Sequence, residues 1–306
     1  MNVTSVIPKS NEHWLELRAN NINSTEISAL FGCSPYMTAF ELWHLKSGNL
    51  KSNFKENQRM TWGKRLQDPI AYGVAEDQGW KIRKRDDYMY SPDLKIGSSF
   101  DFAVVDSNPL NGDAALLEIK NVDSLAFKNG WEQLDDGSLD APLHIELQCA
   151  HQMMIADINK LYLVAFVGGN TPVILERDRH SEFERKILQK VSEFWESVKS
   201  GVEPSPDFVK DSDAIKDLYS TSSKGKFVEG TPRAHVLAEK YSFLNESIAA
   251  LEKEKLAVKS ELLTIMGDAE KMIGSNFTVS AGMTMRSEYV VKPATFRNFR
   301  LSYKGE

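Results

Sequence analysis

The sequence predicts an α/β fold, a mixed central sheet flanked by helices, with a long helix and strands appended at its C-terminal end. Three observations predict it. Helix-like segments fill the first eighty residues, and a hairpin of alternating apolar and polar residues follows at 96–122 with a helix, two strands and a helix behind it. A heptad seam then begins beyond a polar stretch.

Taken in order, residues 11–18 read as a helix. Residues 24–31 read as a second, opened by hydroxyl residues able to cap it and closed at Gly32. Ser34-Pro35-Tyr36 marks a turn, and Thr38 is placed to cap a helix through Trp43 to Lys46 that stops near Gly48. Residues 62–76 predict another helix, in which Pro69 is tolerable only near the first turn or at a kink. Residues 96–105 alternate as a half-buried strand does, 106–113 form a turn cluster, and 115–122 are the returning strand. A helix over 145–156, strands over 161–167 and 173–177 around Gly168-Gly169-Asn170, and a helix over 181–200 complete a core of residues 1–205. Residues 206–230, within a stretch rich in Ser, Asp, Lys, Gly and Pro, read as a linker or surface loop. The C-terminal extension, 231–306, opens with a helix over 231–267. Leu237, Tyr241, Leu244, Ile248, Leu251, Lys255, Val258, Leu262 and Ile265 alternate along it at spacings of four and three, about four heptads interrupted once by lysine. Gly267 ends it, and strand-like stretches at 277–280 and 289–292 follow.

Composition narrows the class without naming a function. The chain of 306 residues is 42% hydrophobic and 26% charged, ordinary for a globular protein. No apolar run approaches the ~18 residues of a membrane span, so no membrane partner is expected. The N-terminus lacks the layout of a signal peptide, and Cys33 and Cys149 cannot by themselves make a disulfide framework, so a cytoplasmic protein is expected. A net charge of −6 does not advertise a nucleic-acid binder, but a local basic groove can coexist with an acidic remainder.

The chemistry-bearing pattern lies in the hairpin. Asp101 stands on one strand, and Glu118 and Lys120 share a face of the other. Two carboxylates converging there can hold a hard divalent cation, the Ile119 carbonyl can add an oxygen, and Lys120 can orient or deprotonate an attacking water. The bland alternative is a surface strand with an ion pair two residues apart. Leu116, Leu117 and Ile119 argue against it, because charge inside an apolar strand is costly unless paired or metal-bound. Gly97-Ser98-Ser99 leaves little side-chain bulk where a backbone can approach.

Asp101 with Glu118-Ile119-Lys120 resembles the signature of the PD-(D/E)xK nuclease superfamily. The stretch from Ile22 to Gly48, containing Thr25-Glu-Ile-Ser-Ala-Leu-Phe-Gly-Cys-Ser-Pro-Tyr, resembles the opening motif of the YqaJ-like viral recombinase family, related to lambda-exonuclease-type enzymes. Trp62-Gly63-Lys64 and Gln148-Cys-Ala-His-Gln-Met153 resemble two further motifs, and the likeness covers residues 10–200. It implies a nuclease core and metal-dependent hydrolysis of linear duplex DNA, 5′ to 3′, for phage-type recombination in a bacterial host cell. It implies Mg2+ as the ion, with Mn2+ able to substitute. Asp101 and Glu118 would be metal ligands, Lys120 the catalytic lysine, and Gln148 an organiser of the site. Arg18, Thr25 and Ser99 would lie where relatives bind a terminal 5′-phosphate. Double-stranded DNA ends and a single-strand annealing protein are the implied partners. Relatives include a ring-shaped trimer, which makes a homo-oligomer conceivable, although no residue here demands one. Two positions depart from the pattern. Gln67 stands where a glutamate is usual, with Asp68 beside it as a substitute, and Ala150 replaces a second glutamine that Gln152 can stand in for one helical turn from Gln148.

Other features have bland readings beside functional ones. Lys81-Ile-Arg-Lys-Arg85 is a solvated face or a phosphate contact. Trp14, Trp43 and Trp62 are core residues before they are base-stacking ones, His151 is structural before it is catalytic, and no phosphate loop supports an ATPase motor. Two other functions stay open: an endonuclease or structure-specific DNase, and a weakened site kept for DNA binding or assembly.

Overall fold

The computed structural model describes all residues except 52–55, 106–111, 136, 289–292 and 303–306. The chain divides into two compact units, Met1–Leu218 and Tyr219–Glu306.

The first unit opens with β1 (Thr4–Val6), α1 (Asn11–Ala19), β2 (Ile22–Asn23), the single turn α2 (Ile27–Leu30) and α3 (Ala39–Lys46). Ser10 caps α1 and Thr38 caps α3, each hydroxyl accepting an N–H of the first turn. α2 is shorter than the sequence suggests because Ser24 and Thr25 are drawn into other contacts. The Ser24 hydroxyl accepts from Ser98 at 3.0 Å, and Thr25 accepts from Arg18. α4 (Gln58–Gln78) continues unbroken through Pro69. Leu66 before the proline and Ile70, Ala71 and Val74 after it all pack on the same sheet face, and that burial offsets the missing hydrogen bond.

Next come β3 (Ile82–Lys84), β4 (Tyr88–Ser91), β5 (Ile96–Ser99), β6 (Phe102–Val105) and β7 (Asp113–Val122). The single strand expected over 96–105 is two strands in two sheets, parted at Phe100-Asp101. The turn expected over 106–113 falls mainly outside the described residues. After α5 (Ser124–Gly130) and the small pair β8 (Glu132–Gln133) and β9 (Leu139–Asp140) come α6 (Leu143–Ala156), β10 (Lys160–Val167), β11 (Thr171–Asp178), α7 (Ser181–Ser200) and α8 (Ser212–Leu218).

The larger sheet has the order β11-β10-β7-β6-β3, with β7 and β10 parallel and the other neighbours antiparallel. This is the mixed sheet expected. α4 covers one face through Leu117, Ile119 and Val164. α6 and α7 belong with Leu116, Leu161, Leu163 and Ala165 to the apolar core on the other. A second sheet, β1-β4-β5-β2, carries the N-terminal segment. The stretch 206–230 contains α8, and Asp211 just before it is buried, accepting from the Thr38 hydroxyl and, at 2.7 Å, from the Asp207 N–H.

Where α1, β2 and α3 meet, a buried polar web replaces apolar packing. The Lys46 ammonium pairs with Glu26 at 2.9 Å and donates to the Arg18 and Asn21 carbonyls at 2.9 and 2.7 Å. Burial pulls the lysine pKa down and Glu26 pushes it back. Glu26 also accepts from the Asn23 amide at 2.8 Å, and Tyr88 donates to Asn23 at 2.8 Å. The Tyr88 ring lies over Gly97 so closely that a Cβ there would come within 2.1 Å of the phenol oxygen. The space left by Gly97 is therefore filled by the protein's own tyrosine.

The second unit holds α9 (Pro232–Met266), capped by Thr231, and the hairpin β12 (Lys271–Ile273) and β13 (Thr278–Ser280). The strand expected over 289–292 lies outside the described residues.

The Glu26–Lys46 pair generates a test. Lys46→Met should cost about 2 kcal/mol in urea unfolding, because it strands a part-buried carboxylate, and adding Glu26→Gln should restore more than half of that. A loss under about 0.5 kcal/mol would place the pair among weak surface bridges.

Candidate active site

β7 alternates its side chains between two environments. Leu117 and Ile119 enter the apolar layer under α4, while Leu116 and Glu118 point toward α6, and Lys120 shares that face. Glu118 is buried, 3% exposed in the middle of the sheet, so its charge must be compensated inside the protein. Three donors do this. Lys120 Nζ lies 2.7 Å and Gln148 Nε2 2.6 Å from Oε1, and Gln152 Nε2 lies 2.8 Å from Oε2. Gln148 and Gln152 are one turn apart on α6 and reach the carboxylate together. Gln148 Oε1 also accepts from Lys120 at 3.1 Å, closing a ring of three side chains.

Asp101 arrives from the neighbouring strand for a backbone reason. β6 ends its pairing at Phe102 opposite Leu117, so β7 continues beyond it with an open edge. The Asp101 carboxylate caps that edge, accepting the Ile119 N–H at 2.9 Å. This is why the strand expected over 96–105 breaks here: an aspartate side chain takes over from the ladder. Gln67, on α4, hydrogen-bonds the same carboxylate. Burial, and next the Glu118 charge, push the Asp101 carboxyl up to about 7. Burial alone would lower the Lys120 ammonium, but Glu118 and Asp101 outweigh it and raise its pKa above the usual value. Lys120 is thus held as an ammonium in this arrangement, with no metal beside it.

The structure brings together Asp101, Glu118, Lys120, Gln148 and Gln152, with Gln67 beside them. Asp68 is elsewhere. Both its oxygens take Lys84 at 2.7 Å on the exposed side of α4, since neighbouring helix positions diverge by about 100°. Among the described residues no group of three or more acids, histidines or cysteines could hold a metal ion. Any cation here would rest on two carboxylates and neutral oxygens.

The other predicted cluster assembles around a residue the sequence reading assigned to the core. Arg18 Nη2 donates to the Thr25 hydroxyl at 3.1 Å, and its guanidinium lies over the Trp14 ring at 4.6 Å. Trp14 Nε1 donates to the Ser99 hydroxyl at 2.9 Å. The Ser99 carbonyl accepts from Gln152 at 3.3 Å, so a continuous chain of contacts links Arg18 to Glu118. Trp14 stands four residues before Arg18, and that helical spacing was the signal available for it.

Trp43 is buried as expected, but Trp62 is half exposed and carries the Arg65 guanidinium over its ring. It lies on α4 away from the apolar face. The basic run is neutralised: Arg83 pairs with Asp113, Lys84 with Asp68, and Arg85 with Asp87 and Asp113. His151 is fully buried and held neutral, burial pulling it down to about 4.

Residues 13–159 match the YqaJ-like viral recombinase domain family. The match contains Arg18, Thr25, Gln67, Ser99, Asp101, Glu118, Lys120, Gln148 and Gln152. YqaJ of Bacillus subtilis strain 168 is 25% identical over 263 residues, covering 85% of this chain and 80% of its own. Among solved structures, the alkaline exonuclease LHK-Exo of Laribacter hongkongensis is similar at 16% identity and a TM-score of 0.49, over 67% of this chain and 99% of that one. A phage-related exonuclease from Haemophilus somnus 129PT is similar at 12% identity and a TM-score of 0.40, over 65% and 92% of the two chains.

The raised Asp101 carboxyl sets a pH dependence in the metal-free protein. Its folded pKa lies above the usual aspartate value, so its stabilising contribution is complete below about pH 4 and is lost as pH rises toward 7. Asp101→Asn keeps an acceptor for the Ile119 N–H but cannot ionise. It should stabilise the chelator-treated protein by about 2 kcal/mol at pH 8 and much less at pH 4.5, read from urea unfolding. An equal effect at both pH values would show that Asp101 is ordinarily ionised.

Proposed function

We propose that this chain is a divalent-metal-dependent deoxyribonuclease that digests linear duplex DNA from its 5′ ends. The observation that carries the reading is the convergence of Asp101, Glu118 and Lys120 at the open edge of β7, held by Gln67, Gln148 and Gln152. The site has one carboxylate more than it has ammonium groups. That surplus, expressed in the raised Asp101 carboxyl, suits a hard cation such as Mg2+, with Mn2+ able to substitute. Asp101 and Glu118 would hold it, joined by the Ile119 carbonyl. Such an ion, when bound, activates water and offsets charge on the scissile phosphate.

The remaining work falls to the chain's own groups. Lys120, kept protonated by its two carboxylate neighbours, donates toward the phosphate or the attacking water and counters the negative charge that builds there. Gln148 and Gln152 fix the Glu118 carboxylate from one side, and the Asp101 carboxylate is fixed by the backbone at Ile119. The Arg18 guanidinium fork and the Thr25 and Ser99 hydroxyls suit a terminal phosphate dianion, and contacts through Trp14 and Gln152 tie this cluster to Glu118. The products would be 3′ single strands for a single-strand annealing protein, in the cytoplasm of a bacterial host. The family match, a viral recombinase domain, supports that setting.

Incubating the purified chain with linear and with closed circular duplex, across a titration of magnesium or manganese, tests the reading. We expect loss of linear duplex only, and only with metal. Equal cutting of closed circles would indicate an endonuclease, and no cutting with either ion would leave a binding or assembly role. Lys120→Ala should lower cleavage at least about a hundredfold while DNA binding stays within a few fold. A variant keeping a tenth of the activity or more would remove Lys120 from the chemistry. Arg18→Ala should slow digestion of 5′-phosphorylated ends at least about tenfold more than that of 5′-hydroxyl ends. The same loss on both ends would reduce Arg18 to a support of the fold or a general DNA contact.

A further inference from the structure

One face of α6 carries three polar side chains at intervals of one turn: Gln152, Gln148 and His144. Gln152 donates to the Ser99 carbonyl and Gln148 accepts from Lys120, so the stripe leads from the Arg18 cluster past the two carboxylates and on to His144. It also climbs out of the protein. Gln152 and Gln148 are buried, His144 is half-buried, and Tyr36 beside it is 81% exposed. His144 is the member of the stripe that neither carboxylate uses. Among the described residues its ring has no hydrogen-bond partner, and the Tyr36 ring meets it edge-on with centroids 5.9 Å apart. Burial, and next the Lys120 charge, hold the imidazole below its usual pKa, so at neutral pH it is uncharged and has one ring N–H to donate.

We propose that His144 donates to the phosphate of the second internucleotide linkage from the 5′ end, one nucleotide beyond the linkage that is cut, an inference that rests on the nuclease reading above. Spacing makes the assignment. The terminal phosphate belongs at the Arg18 cluster, reached through Gln152, and the scissile phosphate at Asp101 and Glu118, beside Gln148. Each four-residue step along α6 rises about 6 Å, comparable with the separation of neighbouring phosphates in one strand. Consecutive phosphates therefore fall at consecutive turns, and the next one falls at His144. The surface position agrees, because the strand must leave the site toward solvent and the stripe opens there. Tyr36 is a positioning residue: its ring edge against the imidazole limits how that ring turns, and its hydroxyl has no part. A single N–H aimed at a phosphate oxygen reads the backbone and no base, so the contact adds grip without sequence preference.

The test uses the full chain and short 5′-phosphorylated duplexes in which one linkage of the cut strand is a neutral methylphosphonate. Kd is read without metal by fluorescence anisotropy, and KM and kcat with magnesium from release of the first nucleotide. In the wild type, a methylphosphonate at the second linkage should raise Kd and KM about tenfold, the size of one lost hydrogen bond to a charged group. His144→Ala should raise both about as much on all-phosphate DNA, leave kcat within about twofold, and be indifferent to that methylphosphonate. Tyr36→Phe should behave as wild type, and Tyr36→Ala should lose part of the sensitivity. Losses from His144→Ala and the second-linkage methylphosphonate that multiply would overturn the assignment. So would indifference to a methylphosphonate at the third linkage in place of the second, or a loss confined to kcat. Should His144→Ala fail to fold, a wild type indifferent to the second-linkage methylphosphonate would overturn it alone. A chain that cuts no DNA yet shows this pattern in Kd would remove the nuclease reading and keep the phosphate contact, and a chain that binds no DNA would remove both.

Discussion

A carboxylate in the middle of a buried strand constrains this protein more than any other single group. Glu118 sits where the sheet should be apolar, and leaving its charge unpaired would cost more than a domain of this size can spare. Its surroundings follow from that cost. Lys120 must lie on the same face, two residues on. α6 must present amide donors one turn apart and be held tightly enough that they do not swing away. The burial of Leu147, Met154 and Ile155 provides that hold. β6 must stop short so that a second carboxylate can approach. The result is preorganised: each polar group of the site is held by another group of the site, which is the condition under which fixed dipoles act on a reaction without first reorganising.

The N-terminal segment solves a different problem by similar means. α1 has little apolar surface of its own and α2 is one turn, so packing alone would hold them weakly. The buried Lys46 ammonium instead gathers the Arg18 and Asn21 carbonyls, and Glu26 and Asn23 lock the turn between them. A buried pair of this sort contributes little net stability compared with apolar packing, but it fixes geometry. The geometry it fixes is the placement of Arg18 and Thr25, with Tyr88 and Gly97 carrying the same register into β5 and hence to Ser99. The polar web that positions Arg18, Thr25 and Ser99 and the ring that positions the two carboxylates meet at Gln152.

What the sequence made legible divides along physical lines. Elements with strong periodicity or clear punctuation were readable: the helix of residues 181–200 with Gly201 behind it, the Thr38 cap, the parallel partner of β7. The convergence of Asp101 with Glu118 was readable because a hairpin fixes which strands adjoin. The break at Asp101 was not, because alternation continues through it and the interruption is made by a side chain accepting a backbone N–H across the strands. The helix through Pro69 was readable from its periodicity, and burial on both sides of the proline outweighs its poor propensity. Lys46 and Glu26 gave no signal, since a charged residue in a helix or a turn reads as solvated until its neighbours are known. The basic run stood open between a solvated face and a phosphate contact, and the carboxylates that pair with Arg83 and Lys84, distant in sequence, could not be read from it.

Gln67 joins these threads. The resemblance to the nuclease signature implies an acid at this position, yet here a neutral amide hydrogen-bonds a carboxyl already raised to about 7 by burial and by Glu118. A third carboxylate in that spot would, without metal, face two others across a buried space with one ammonium to balance them, and folding would bear the repulsion. The amide can instead donate to Asp101, and so supports the carboxylate where an acid would repel it. The same exchange removes one charge from any cation the site accepts. In the proposed metal site Gln67 would therefore trade cation affinity for stability of the metal-free protein, and Asp68 does not reverse the trade because Lys84 holds it on the outer face of α4. A domain organised around one expensive buried carboxylate has kept the neighbouring position neutral, and the compensation that Glu118 demands is met by hydrogen-bond donors and a lysine rather than by a further acid awaiting its ion.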